Sequence, residues 1–124
     1  MRLKFNDTLE IIGNSLMKTL SEIENYGETP ELKAEMLYKY GRVHFLQNNF
    51  EKAYKVFEQC NIHIIDNNLP QNIEIYYWVG RISEETKKNE KARSAYLITL
   101  EQMKDKNDEE FMNEILDRIS NLKI

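Results

Sequence analysis

Two tyrosine–arginine pairs are the most chemically pointed residues in this 124-residue chain. Tyr38-Lys39-Tyr40-Gly41-Arg42 and Tyr77-Trp78-Val79-Gly80-Arg81 share the form Tyr-x-x-Gly-Arg. If each stretch is helical, ring and guanidinium stand one turn apart on a common face. A planar guanidinium bonds carboxylates and carbonyls while a tyrosine ring takes apolar groups, so such a pair suits the grip of an extended peptide. Glu35, Phe45 and Leu46 share that face in the first stretch, and Glu74, Glu84 and Glu85 share it in the second. The candidate protein- or peptide-binding residues are therefore Tyr38, Arg42, Phe45, Tyr77, Trp78 and Arg81. A packing reading stands beside this one: each arginine can instead pair with a nearby glutamate and each ring can pack on its neighbour, at ~1 kcal/mol or less per exposed pair. Trp78 takes the place of Lys39 and either edges the binding face or fills space against the preceding helix.

Other reactive residue types are scattered. Cys60 and His63 lie about one helical turn apart, but a structural zinc needs four ligands and no companions stand near them in sequence. There is no glycine-rich phosphate loop, paired-cysteine motif or His-Glu metal signature. The neighbours Glu84-Glu85 and Glu109-Glu110 point in different directions from a helix, which makes them solvated charges and not an acid/base dyad. His44 reads as a core or rim histidine, and His63 as a base placed against a helix C-terminus. The chain reads as a non-enzyme with no cofactor and no metal.

Composition narrows the partners further. Lys and Arg number 17 against 21 Asp and Glu, a net charge of −4 without the basic stripe that phosphate backbones require, so nucleic acid is not an expected partner. Arg2, Lys4, Asn6, Asp7 and Glu10 leave no room for an apolar leader or membrane span at the N-terminus. The single cysteine, Cys60, falls on an apolar helical face and suits a reducing compartment. A cytoplasmic location is the expectation. A chain of this length makes one domain, residues 1–124, burying roughly two-thirds of its unfolded surface.

The elements that position the pairs can be read from the spacing of apolar and small residues. Charged residues at 31% are interspersed, and the apolar residues recur at helical rather than alternating intervals. A first helix is expected over 7–25, with Asp7 and Glu10 in a capping box and Leu9, Ile12, Leu16, Leu20 and Ile23 on one face. Thr29, Pro30 and Glu31 then supply a cap, a first-turn proline and an acid for a helix ending near Leu46. The turn Gln47-Asn48-Asn49 leads to a helix over 50–66 with Asn49 as its cap. After Asn67, Asn68 and Pro70 break the chain, two further helices are expected over 71–86 and 90–104, joined by Lys87-Lys88-Asn89. A last helix over 108–123 opens with an Asn107-x-x-Glu110 capping box.

Within this plan a pattern repeats. Leu37, Tyr40 and Gly41 share a face of one helix and Ala53, Phe57 and Cys60 share a face of the next; 39 residues later come Tyr76, Val79, Gly80, Ala92 and Tyr96. Small residues at Gly41, Ala53 and Cys60 let two antiparallel backbones approach closely. These positions resemble the tetratricopeptide repeat, although its usual period is about 34 residues and the extra length here lies after His63. Gly13, Met17 and Leu20 keep the spacing of Ala53, Phe57 and Cys60, and Leu116, Ile119 and Ser120 keep that of Tyr76, Val79 and Gly80. The chain would thus comprise a half repeat at 7–25, full repeats at 30–66 and 71–104, and a half repeat at 108–123.

The resemblance implies an all-α right-handed solenoid of about six helices in antiparallel hairpins, binding a protein or peptide on its concave face. Lengthened repeats of this sort are similar to those in bacterial regulators that receive signalling peptides. The family's carboxylate-clamp members use Lys and Asn to hold chaperone tails, whereas Arg42 and Arg81 stand at the corresponding places here, so that ligand is not implied. Two alternatives remain open: a structural homo-oligomer, such as a homodimer joined through the apolar faces of its terminal helices, or a ligand-sensing segment of a larger regulatory protein.

Overall fold

The computed structural model describes residues 10–18 and 29–124. Among these residues the protein is all-α, with six helices and no strand. Residues 10–18 are helical (α1), while Asp7, Leu9, Leu20 and Ile23, assigned to the same helix from sequence, lie outside the described residues. There follow α2 (Pro30–Leu46), α3 (Phe50–Asp66), α4 (Glu74–Glu85), α5 (Asn89–Gln102) and α6 (Glu109–Ser120). They divide into two compact units at Gln71 and Asn72.

Local chemistry sets the ends of these helices. Thr29 Oγ1 accepts the Leu32 N–H at 3.3 Å, and Pro30 occupies the first turn, where its missing N–H leaves no bond unmade. At the other end of α2, Asn48 adopts φ 60°, a left-handed turn that asparagine tolerates better than most residues. Lys87 adopts φ 62° at the corresponding place between α4 and α5. Asn49 stands at the start of α3 as expected but makes no side-chain cap bond; its amide is turned toward the His44 ring. Helix α4 begins at Glu74 rather than Gln71, because Asn72 Oδ1 takes the Glu74 N–H at 3.0 Å and holds the preceding residues in a turn. The cap of α6 is Asp108, whose carboxylate accepts the Phe111 N–H at 3.1 Å, and not the neighbouring Asn107.

In the first unit α2 and α3 run antiparallel. The Cys60 thiol, late in α3, donates to the carbonyl of Ala34, early in α2, at 3.3 Å. One turn on, His63 Nε2 donates to the Pro30 carbonyl at 2.8 Å while its Nδ1 accepts from Asn67. His63 therefore ties the end of one helix to the start of the other, a role beyond the helix-end cation read from sequence. Leu37, Tyr40, Val43, Ala53, Val56, Phe57 and Cys60 are buried. A Cβ on Gly41 would stand 2.8 Å from Phe57 Cε1, so the glycine is what lets that ring lie against the α2 backbone. Helix α1 approaches the same helix more loosely, with Gly13 facing Val43 and Tyr40.

The second unit repeats the device with other side chains. Gly80 lies against the Tyr96 ring, where an added Cβ would come within 2.6 Å of Cδ1. Tyr77, Ala92, Tyr96, Met103 and Ile115 form the core, and Phe111, Met112 and Ile119 of α6 pack against it. Cys60 of the first unit has its counterpart in the buried Thr99, whose hydroxyl donates to the Ala95 carbonyl.

Candidate functional site

Both tyrosine–arginine pairs are helical, as their spacing requires, but the two units present them differently. In the first unit Arg42 is exposed, with its guanidinium carbon 5.7 Å from the centre of the half-buried Tyr38 ring. Tyr38 is in turn held 6.0 Å from the fully buried Phe57 ring. Phe45 is buried and meets Phe50 edge-on at 5.4 Å, so it supports the helix pair from within. Lys39 and Glu35 pair across one turn at 3.0 Å on the solvent side.

In the second unit Tyr77 is only 5% exposed, well below the surface that a groove residue would present. Its ring is enclosed edge-on by Trp78 at 5.3 Å and Phe111 at 5.1 Å, and lies tilted to Tyr96 at 6.1 Å. Arg81 is half-buried: Nη1 donates to the Tyr77 hydroxyl at 3.1 Å, and the guanidinium lies over Trp78 at 5.8 Å as well as over Tyr77 at 5.9 Å. Trp78 is half-buried against the core cluster and beneath Arg81. The helix α6 makes the difference, because it places Phe111 on the tyrosine that has the position of Tyr38.

Sequence reasoning missed a polar network in this unit. Glu84 stands where the first unit has Phe45; its carboxylate accepts from the Tyr96 hydroxyl and faces Arg118 of α6 at 3.5 Å. Burial first, and then the bond to Glu84, hold the Tyr96 phenol well above its ordinary range. The signal that could have found it is the joint change of Phe45 to Glu84 and Phe57 to Tyr96 between equivalent positions, since a carboxylate brought inward needs a donor.

The remaining candidates are placed by the same packing. The Cys60 thiol is buried and pushed up to about 11 by burial, which makes it a core group and not a nucleophile. Among the described residues no three His, Cys, Asp or Glu side chains come together as metal ligands. No helix among them is long and apolar enough to cross a membrane.

The hairpin of α2 and α3, with Gly41 seated on Phe57 and Ala53 and Cys60 fully buried, is the arrangement that small and large residues at these intervals produce. A family model described as the tetratricopeptide repeat matches residues 34–61, which run from the second turn of α2 through most of α3. Residues 34–61 are a tetratricopeptide repeat. Tyr38, Arg42 and Phe45 fall within this repeat, and the second hairpin carries the same glycine–aromatic seat at Gly80 and Tyr96. Comparison with curated proteins and with solved structures finds no match. Tetratricopeptide repeats are characteristically protein–protein interaction modules, and the match at residues 34–61 suggests such a module here.

Proposed function

We propose that the protein binds a peptide segment of a partner, using the first-helix face of each repeat, with Arg42 and Tyr38 as the principal grip. The observation that carries this reading is the exposed Arg42 guanidinium ordered over a Tyr38 ring that the buried Phe57 holds in place. A cation already stacked loses less freedom on binding, and its planar fork of donors can take a carboxylate or a backbone carbonyl in a bidentate bond. The peptide's apolar side chains would lie on Tyr38. Phe45 and Tyr77 are buried, so Phe45 acts by holding the helices and Tyr77 by holding Arg81. The absence of a basic stripe and the net charge of −4 favour a protein or peptide partner over nucleic acid.

The experiment is selection of peptides from a displayed library on the full chain, followed by anisotropy titrations of the best binder. Arg42→Ala should weaken binding by about thirtyfold, the size of an interface hot spot of about 2 kcal/mol, with an unchanged helical spectrum. Arg42→Lys should recover only part of it, because an ammonium cannot bond in a fork. Selected peptides that bind Arg42→Ala and Arg81→Ala together as well as they bind the parent chain would refute the proposal.

A further inference from the structure

A cleft of about 250 Å³ opens within the first unit where α1 and α2 meet the start of α3. Its walls carry both signs of charge, Glu10 from α1 and Lys52 from α3, and also include Asn14 and Gln47. Glu10 and Lys52 are exposed, and neither makes an ion pair with another described residue. Two rings, Tyr40 and His44, also line it, stacked edge-to-face with centroids 4.3 Å apart.

His44 points to a ligand because one of its nitrogens has no partner among the described residues. The residue is 6% exposed, and Asn49 Nδ2 stands 3.4 Å from its Nδ1; in the tautomer that lets Nδ1 accept this bond, Nε2 carries the ring proton. That nitrogen is buried without a hydrogen-bond partner among the described residues, an arrangement that native structures ordinarily avoid. Burial, and then the charge of Lys52, also keep the imidazole below its ordinary range, which leaves it a neutral donor near pH 7.

The charge pattern selects the ligand. An anion alone would be opposed by Glu10 and a cation alone by Lys52, whereas a molecule carrying both charges satisfies both walls. The volume lies below the 300–1,000 Å³ or so of pockets for drug-sized ligands, which suits a molecule of a few heavy atoms rather than a length of peptide. We propose that this cleft binds a small zwitterion of the α-amino-acid class, with its carboxylate between Lys52 and the His44 Nε2–H, its ammonium on Glu10, and a polar side chain between Asn14 and Gln47. None of these residues belongs to the Tyr38/Arg42 grip, so this site stands or falls independently of peptide binding.

The test is titration of the full chain with each free amino acid and with its N-acetyl and carboxamide forms, followed by calorimetry and by the side-chain nitrogen resonances of His44. At least one free amino acid should saturate and move the Nε2 resonance, and blocking either of its charged groups should weaken binding about tenfold or more. Lys52→Ala and Glu10→Gln alter exposed side chains, so each should retain the fold and lose affinity to the same degree. The proposal is overturned if no free amino acid moves the His44 resonance, if the N-acetyl form binds as well as the free one, or if Lys52→Ala binds undiminished.

Discussion

Replacing Gly41 by alanine sets two effects of known size against each other. In a helix interior the change removes the backbone freedom of glycine, which by itself stabilises by about 1 kcal/mol. Here the new Cβ would stand 2.8 Å from Phe57 Cε1 and 2.9 Å from both Cδ1 and Cζ, closer than real carbon contacts allow. Phe57 has no exposed surface into which it could retreat, so α2 and α3 must part or the ring must leave its rotamer, a cost of about 1–3 kcal/mol. Three ring carbons are met at once, which places the cost toward the upper end and leaves a net loss of about 1–2 kcal/mol. Gly80→Ala should cost more, because the Tyr96 ring is nearer and its hydroxyl is held by Glu84. Gly13→Ala should change stability little, since among the described residues its Cβ would meet Val43 Cγ1 and Tyr40 Cε2, at 3.3 and 3.5 Å. Urea unfolding measures this order as shifts of midpoint at constant slope. The decisive comparison is Gly41→Ala in a Phe57→Leu background, where the flat ring is gone and the penalty should shrink or change sign. Gly41→Ala that stabilises the parent chain, or that costs as much without the ring as with it, would refute the reasoning.

Two further outcomes follow from buried titratable groups. The His44 imidazole is held below the unfolded value of about 6.5, so the unfolded chain takes up this proton first. Its contribution to stability is complete above that pH and is lost as pH falls through the lower folded value; urea midpoints should drop between neutrality and mild acid, and less steeply in His44→Gln. The Cys60 thiol, fully buried and raised to about 11, should react with a disulfide reagent at pH 8 only as fast as the first unit opens, and denaturant should bring it to the rate of a free thiol.

Much of the framework was legible because it depends on residues near one another in sequence. Helix α2 begins at Thr29-Pro30-Glu31 because cap, ring constraint and charge all act within one turn, and it ends where Asn48 can take a left-handed conformation. The hairpin of α2 and α3 follows from volume: glycine, alanine and cysteine at helical intervals leave room for one large ring, and Phe57 fills it. Where two neighbours could serve equally the reading went astray, as with Asn107 and Asp108, since either side chain can cap and the path of the incoming backbone chooses. Gln71 likewise failed to open α4 because the Asn72 carboxamide competes for the backbone N–H that a helix start would free.

What sequence alone determined, then, is the all-α class, the order of the helices and the tetratricopeptide pairing of α2 with α3, all of which rest on periodicity and local volume. Tertiary structure alone decided what each residue of an identical motif is available to do. Tyr-x-x-Gly-Arg occurs twice, yet Tyr38 stays half-exposed beneath an exposed Arg42, while Phe111 of α6 buries Tyr77 and leaves Arg81 bonded to its hydroxyl. The pairing of Glu84 with Tyr96 and Arg118 and the His44 Nε2 without a partner among the described residues belong to the same category. A motif fixes direction along its own helix, but exposure and hydrogen bonding are set by every helix that packs against it, and those residues are distant in the chain.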